Sequence, residues 1–179
     1  EMHRPNGNLT KALDYLNRAI SIQPYNKAFK HTKAELALKK VDSARTQLEK
    51  DKLLQEAVEL ASETKSGRTG ATHSHHTLAK VHMKRLEEAI GLGEADFTSP
   101  HIQSIVKNIE RELEHGLQAK PGDSYLLTEQ ARLAELLNNS PKMFDSLTKA
   151  FTHNTKLGYL AVQLSSCLVK GGKPSEAKK

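Results

Sequence analysis

Small and apolar residues recur along this chain at spacings of four and then three, and a turn residue follows each set. In the stretch "KALDYLNRAISIQP" these residues are Ala12, Leu16 and Ala19, and Pro24 follows them. Residues i, i+4 and i+7 share one face of an α-helix, small side chains let a neighbouring helix approach, and Pro cannot continue a helix. The spacing therefore predicts a helix that packs through this face and ends before Pro24.

The same spacing returns twice in the second half of the chain. The two copies are offset by 34 residues at every position and comprise Ile109, Leu113, Gly116 and Pro121, then Met143, Leu147, Ala150 and Thr155. Thr155 departs from the Pro of the other copies, and a further match lies at Leu54, Val58 and Ala61. A fixed period of this length predicts similar helical units that bury their apolar faces against one another.

Partner helices are predicted upstream of these matches, at 25–41, 72–90, 124–137 and 157–170. A small residue suited to a tight helix crossing falls within three of them, at Ala79, Ala131 and Ser165. Ser99 and Ser140 each precede a Pro, which predicts an N-cap followed by Pro in the first turn. The chain is thus predicted to be all-α and built from antiparallel helix hairpins.

The period and pattern resemble the second helix of the tetratricopeptide repeat, which places Ala, an aromatic residue or Leu, Ala and Pro at these intervals. The resemblance implies an α-α superhelix, or solenoid, of about four such repeats in a single domain, residues 1–179. The predicted pieces are approximately 8–24, 25–66, 72–121, 123–155 and 157–179, with irregular inserts near 64–74 and 91–99. Solenoids need polar capping units, and neither end of this sequence carries a complete one, so we expect a fragment of a longer protein.

Composition and charge narrow the class of protein. Aromatic residues make up 4% of the chain and Trp is absent, which favours helices over sheets. The single Cys167 excludes an internal disulfide, and no apolar run reaches the length of a membrane span, so a cytosolic location is predicted. The net charge is +6. Residues 26–41 contain five lysines and a single acidic residue, Glu35, and this excess of positive charge suggests anionic partners.

The stretch "ATHSHHTLAKVHMKR", residues 71–85, holds four histidines and no acid. His75 and His82 would share a helix face, but the HExxH spacing and nearby Cys are missing, so no metal site is predicted. If Ala79 lies at the helix crossing, as the repeat spacing predicts, then His73, His76, Lys80 and Met83 lie on the concave face of the superhelix. The same offsets from Ala131 select Tyr125, Thr128, Arg132 and Glu135, and the second repeat adds Lys27 and Lys30.

In tetratricopeptide proteins the concave face commonly holds a peptide, so the resemblance implies a protein or peptide partner, here an acidic one. The predicted function is a scaffold or protein-interaction module of a larger regulatory or signalling protein. Two alternatives stay open at this point. The basic stripe could bind nucleic acid without sequence specificity, although no base-reading motif occurs, or it could be an ordinary solvated helix face.

Catalytic signatures are missing from the sequence. None of GxxxxGK[ST], GxSxG or GxGxxG occurs, and Cys167 lies in the helical stretch "QLSSCLVK", where a lone Cys usually packs in the core. The chain is therefore predicted not to be an enzyme and to need no cofactor.

Overall fold

Residues 5–65, 70–93 and 96–170 are described by a computed structural model of the chain. Within these ranges the chain forms helices and turns and no strand, so the all-α prediction is confirmed. The helices are α1 Pro5–Ile22, α2 Lys27–Val41, α3 Gln47–Thr64, α4 Gly70–Gly91, α5 Pro100–Ala119, α6 Ser124–Leu136, α7 Ser140–His153 and α8 Gly158–Lys170. Helices next to each other in sequence pack together within each half of the chain, as expected for hairpins with short connections.

Side chains that accept hydrogen bonds from free backbone N–H groups mark where several helices begin. The Ser99 side chain accepts from the Ile102 N–H at 3.3 Å, and Pro100 follows in the first turn, which confirms the predicted cap of α5. The cap of α7 lies one residue earlier than predicted. It is Asn139, whose Oδ1 accepts from the Lys142 N–H at 3.1 Å, because an Asn side chain performs this role as well as Ser does.

The turn between α6 and α7 is short because the first of two consecutive Asn residues ends α6 and the second caps α7. Asn138 has a φ of 54°, the left-handed conformation that commonly ends a helix and that Asn tolerates well. Its neighbour Asn139 donates its backbone N–H to the Ala134 carbonyl at 2.8 Å and then caps α7. A helix therefore ends and the next begins within three residues.

The chain divides into two compact units, unit 1 at residues 1–95 and unit 2 at residues 96–179. This boundary falls inside the predicted insert near 91–99. In unit 1, α3 packs against both α2 and α4, and α1 packs on α2. The core of unit 1 forms where α2, α3 and α4 meet and includes Ala37, Leu38, Leu54, Ala57 and Val81, all at most 4% exposed.

Unit 2 contains the repeat pattern most clearly. The predicted packing positions Ile109 and Leu113 on α5 are 0% and 2% exposed, and Leu147 and Ala150 on α7 are 4% and 0% exposed. The small residue Ala131 on α6 is buried against Leu147 and Cys167. The inference of a packing face from the spacing of four and three is therefore confirmed in this unit, as is the buried position of Cys167.

Two expectations need correction. The predicted packing face of α1 is less buried than expected, since Leu16 on this face is half-buried and α1 packs against α2 on one side of the unit. The loop predicted near 64–74 is shorter than expected, since α3 continues to Thr64 and α4 already begins at Gly70. Residues 66–69 of that insert lie outside the described residues.

Candidate functional site

A polar cluster lies where α2 and α4 face each other in unit 1. The Thr77 hydroxyl donates to Glu35 Oε1 at 2.8 Å, and the Lys80 Nζ donates to Glu35 Oε2 at 2.6 Å. Thr77 Oγ1 is also 3.2 Å from the Nε2 of His31, whose ring meets that of His73 edge to face, with centroids 5.4 Å apart. The α2–α4 cluster, as we call these five residues, therefore joins imidazoles, an ammonium and a carboxylate on one surface.

A pocket of about 420 Å³ opens beside this cluster and is lined by Lys27, Ala28, His31, Thr32, Thr64, His73 and Ser74. We call it the imidazole pocket. Among the described residues that line it there is one ammonium and there are two imidazoles, but no carboxylate. Its floor includes Thr64 and Ser74, whose buried hydroxyls lie 2.8 Å apart. The pocket is thus suited to a ligand that carries negative charge or accepts hydrogen bonds.

The ionisation of the α2–α4 cluster follows from its packing. Burial lowers the pKa of His31, and the attraction of Glu35 only partly opposes this effect, so His31 is mainly neutral at neutral pH. Burial by itself would raise the pKa of Glu35. The hydrogen bond and charge of Lys80, together with the Thr77 hydroxyl, outweigh burial and hold the Glu35 pKa below its ordinary value. Lys80 and Glu35 therefore form an ion pair at neutral pH.

Acidic residues of α3 neutralise more of the positive charge of the α2 lysines than the sequence of α2 alone suggests. Lys33 Nζ lies 2.9 Å from Glu56 on α3, and Lys30 forms an ion pair with Glu63 on the same helix. Helix α3 carries five acidic and two basic residues between 47 and 64, which offsets much of the charge of α2. The basic stripe read from residues 26–41 is therefore partly neutralised across the hairpin.

The structure places the predicted unit 1 residues in different environments. His73 is exposed, and His76 and Lys80 on the same helix are half-buried. Met83 is 0% exposed, so the prediction that it lines a ligand-binding face is wrong; its side chain belongs to the core of the unit. Sequence reasoning missed His31, although it lies four residues after Lys27 and therefore on the same face of α2.

The predicted unit 2 residues lead to a second cavity, of about 400 Å³, between α6, α7 and α8. We call it the α6–α8 cavity. Its lining includes Thr128, Arg132 and Glu135, all selected by the repeat register, and the complete set is Thr128, Glu129, Ala131, Arg132, Glu135, Met143, Leu147, Gln163, Ser166 and Cys167. Tyr125 is 52% exposed and is not part of this lining.

Metal-binding clusters and membrane-spanning helices would each define a different kind of site. Among the described residues, no group of three or more His, Cys, Asp or Glu side chains is arranged so that it could hold a metal ion. No helix in the described part of the chain is long and apolar enough to cross a membrane.

The fold and the grooves between its helices define a tetratricopeptide-like helical solenoid, and the predicted class is confirmed at the level of the fold. The chain is similar in structure to a thermophilic tetratricopeptide-repeat protein of Thermus thermophilus, with a TM-score of 0.73. The similarity covers 96% of this chain and 78% of that one, at 16% sequence identity. No protein-family model matches the sequence, and no curated protein matches it either.

Proposed function

We propose that the chain is a non-catalytic module that binds an acidic segment of a partner protein in the imidazole pocket of unit 1. The observation that carries the proposal is the composition of this pocket, whose described lining offers Lys27, His31 and His73 but no carboxylate. A carboxylate or C-terminal group can accept hydrogen bonds from the Lys27 ammonium and from an N–H group of each imidazole.

Lys30, His76 and Lys80 have a secondary role in this proposal. Lys80 is already held by Glu35 at 2.6 Å, and Lys30 pairs with Glu63, so an incoming acid must compete with these carboxylates. We therefore assign a general positive potential to Lys30, His76 and Lys80, and direct contacts to the residues that line the imidazole pocket. The same compensation weakens the case for nucleic acid, because phosphate binding needs a row of available cations.

The biological setting is part of the proposal. We propose that the module acts in the cytosol and recruits its partner on behalf of a larger regulatory or signalling protein. The unit 2 residues Tyr125, Thr128 and Arg132 are proposed as a second contact region for a protein partner.

The test is fluorescence anisotropy with a labelled peptide of alternating Glu and Ala that ends in a free carboxylate. Lys27→Gln and His73→Ala should each weaken binding by about two- to fivefold, the range expected for one partly exposed charged contact. Lys52→Gln is the matched control, since Lys52 is an exposed cation on α3 outside the pocket. Equal losses in Lys27→Gln and Lys52→Gln would show that the peptide senses only overall charge.

The pH dependence supplies an independent check. Burial lowers the pKa of His31, and a bound carboxylate would favour its protonated form, so binding should take up a proton. Because the His31 pKa lies below its ordinary value of about 6.5, affinity for the Glu peptide should rise as the pH falls from about 7 to about 5. The corresponding Gln peptide with an amidated C-terminus should show no such rise in affinity. In a separate comparison, a single-stranded oligonucleotide should bind more weakly than the Glu peptide.

A further inference from the structure

The α6–α8 cavity differs from the imidazole pocket in the sign of its charge. Its lining contains the carboxylates of Glu129 and Glu135 and one cation, Arg132, so two negative groups face one positive group. The sequence register selected Arg132 as a contact for an acidic ligand. The cavity as a whole, however, has a net negative lining, which favours a cation.

The positions of the charged groups strengthen this conclusion. The Glu129 side chain is 12% exposed and lies within the cavity wall, whereas the Arg132 side chain is 43% exposed. Arg132 Nη1 and Glu129 Oε2 are 3.7 Å apart, which is longer than a hydrogen bond. The 3.7 Å contact is an ion pair without hydrogen-bond geometry, so a cation that enters the cavity competes for Glu129 with Arg132, the more exposed partner.

The remaining lining suits an aliphatic stem with a polar head. Met143, Leu147 and Ala131 form the apolar part of the wall, and Leu147 and Ala131 are 4% and 3% exposed. Thr128, Ser166 and Gln163 also line the cavity, and their side chains carry hydroxyl and amide oxygens. An ammonium has three donors and no acceptor, so it requires several oxygen atoms, and the stem of a Lys side chain packs well along apolar surface.

We propose that the α6–α8 cavity is a separate binding site that takes a lysine side chain of a partner protein. The methylene stem contacts Met143 and Leu147, and the ammonium meets Glu129 and Glu135. In this arrangement Arg132 is a like charge that limits affinity and excludes a second cation. The site rests on and deepens the second contact region proposed above, with which it shares Thr128 and Arg132, and it differs from the imidazole pocket in its unit and in its charge preference.

Two methionine methyl groups make the proposal testable on the whole chain. Met143 lines the cavity, and Met83 is fully buried in unit 1 and serves as an internal reference. The protein is labelled with ¹³C in the Met methyl groups and titrated with N-acetyl-lysine methylamide, followed by NMR. The norleucine derivative is the neutral comparison with nearly the same stem, and the glutamate derivative is the acidic comparison.

The chemical shift of the Met143 methyl group should change and then saturate as the lysine derivative is added. Saturation should need a concentration about two- to fivefold lower for the lysine derivative than for the norleucine derivative, as expected for a partly exposed ion pair. The glutamate derivative should bind more weakly than both, and Met83 should not respond. Equal binding of lysine and norleucine, stronger binding of glutamate, or parallel shifts of Met83 and Met143 would each overturn the proposal.

Three charge variants test the assignment to these residues. Arg132→Gln should tighten lysine binding by about two- to fivefold and Glu135→Gln should weaken it by a similar factor, because each removes one charge from the cavity. Lys107→Gln is the control, since Lys107 is an exposed cation on α5 outside the cavity. If Arg132→Gln weakens lysine binding, Arg132 does not oppose the ligand and the assignment is wrong. Failure here leaves the proposal for unit 1 intact, because that test uses a different peptide and a different pocket.

Discussion

The ion pair between Lys80 and Glu35 should contribute measurable stability to unit 1, and a double-mutant cycle can isolate that contribution. The perturbations are Glu35→Gln, Lys80→Gln and the combined variant. Two unit charges about 4 Å apart attract by about 4 kcal/mol at an effective dielectric constant of about 20. The side chains are 27% and 23% exposed, so lost hydration and side-chain entropy offset much of this attraction. We expect a coupling free energy of about 1–2 kcal/mol, above the range for exposed pairs.

Native-state hydrogen exchange is the appropriate assay, because peptide fragments from α2 and α4 report the opening free energy of unit 1 separately from unit 2. The matched control is Lys149 and Asp145 on α7, whose charged atoms are also 2.6 Å apart but whose side chains are both 58% exposed. For that i,i+4 pair we expect a coupling of about 0.3–0.5 kcal/mol. If the two cycles give equal coupling free energies, partial burial does not strengthen the pair and the larger coupling expected for Lys80 and Glu35 is refuted.

The pH dependence of the same cycle has a defined sign. The pKa of Glu35 in the folded chain lies below its ordinary value, so the stabilisation is present above the pKa of the unfolded chain. It is lost as the pH falls through the lower, folded pKa, and the coupling should therefore be full at neutral pH and vanish well below pH of about 4. A coupling that stays constant to pH of about 2 would mean that the interaction does not require an ionised carboxyl group.

Three further changes test the packing and the helix caps. Leu54→Ala should cost about 2–5 kcal/mol in the opening free energy of unit 1, because Leu54 is 1% exposed, and a loss below about 1 kcal/mol would contradict its place in the core. Asp123→Ala should destabilise α6 by about 1–2 kcal/mol, whereas Asp123→Asn should retain most of the cap, as measured by exchange in α6. Asn139→Ala should cost about 1 kcal/mol in α7 and Ser140→Ala much less, and the reverse order would restore Ser140 as the cap.

The helical packing faces could be predicted because they depend on local spacing. Ile109, Leu113, Leu147 and Ala150 share a helix face whatever the rest of the chain does, and burying that face is the main way for such a helix to become stable. The sequence signal therefore identified the core of α5 and α7 directly. Leu16 has the same local pattern but is half-buried, since the extent of burial depends on how many neighbours pack against the helix.

The candidate sites were harder to predict because they depend on contacts between helices. Lys33 and Glu56 are 2.9 Å apart in space but 23 positions apart in sequence, and no local pattern pairs them. His31 was missed for the same reason, since its role follows from the position of His73 on α4. Met83 was wrongly included because the repeat spacing selects one helix face but does not show which residues of that face are buried, and Met83 is 0% exposed.

Net charge is a poor guide to the partner of this chain, although it first suggested an acidic one. The formal charge of +6 belongs to the whole sequence, whereas the acids of α3 offset the lysines of α2, and Glu129 and Glu135 outnumber Arg132 in the α6–α8 cavity. A ligand must compete with ion pairs that exist before it binds, so each charged contact adds little to the binding affinity. The same contact strongly disfavours a ligand group whose charge has the opposite sign to the preferred one. Under the two proposals, a partner with an acidic group for unit 1 and a lysine for unit 2 gains from both sites, while a uniformly charged chain such as a nucleic acid satisfies one site and is opposed by the other.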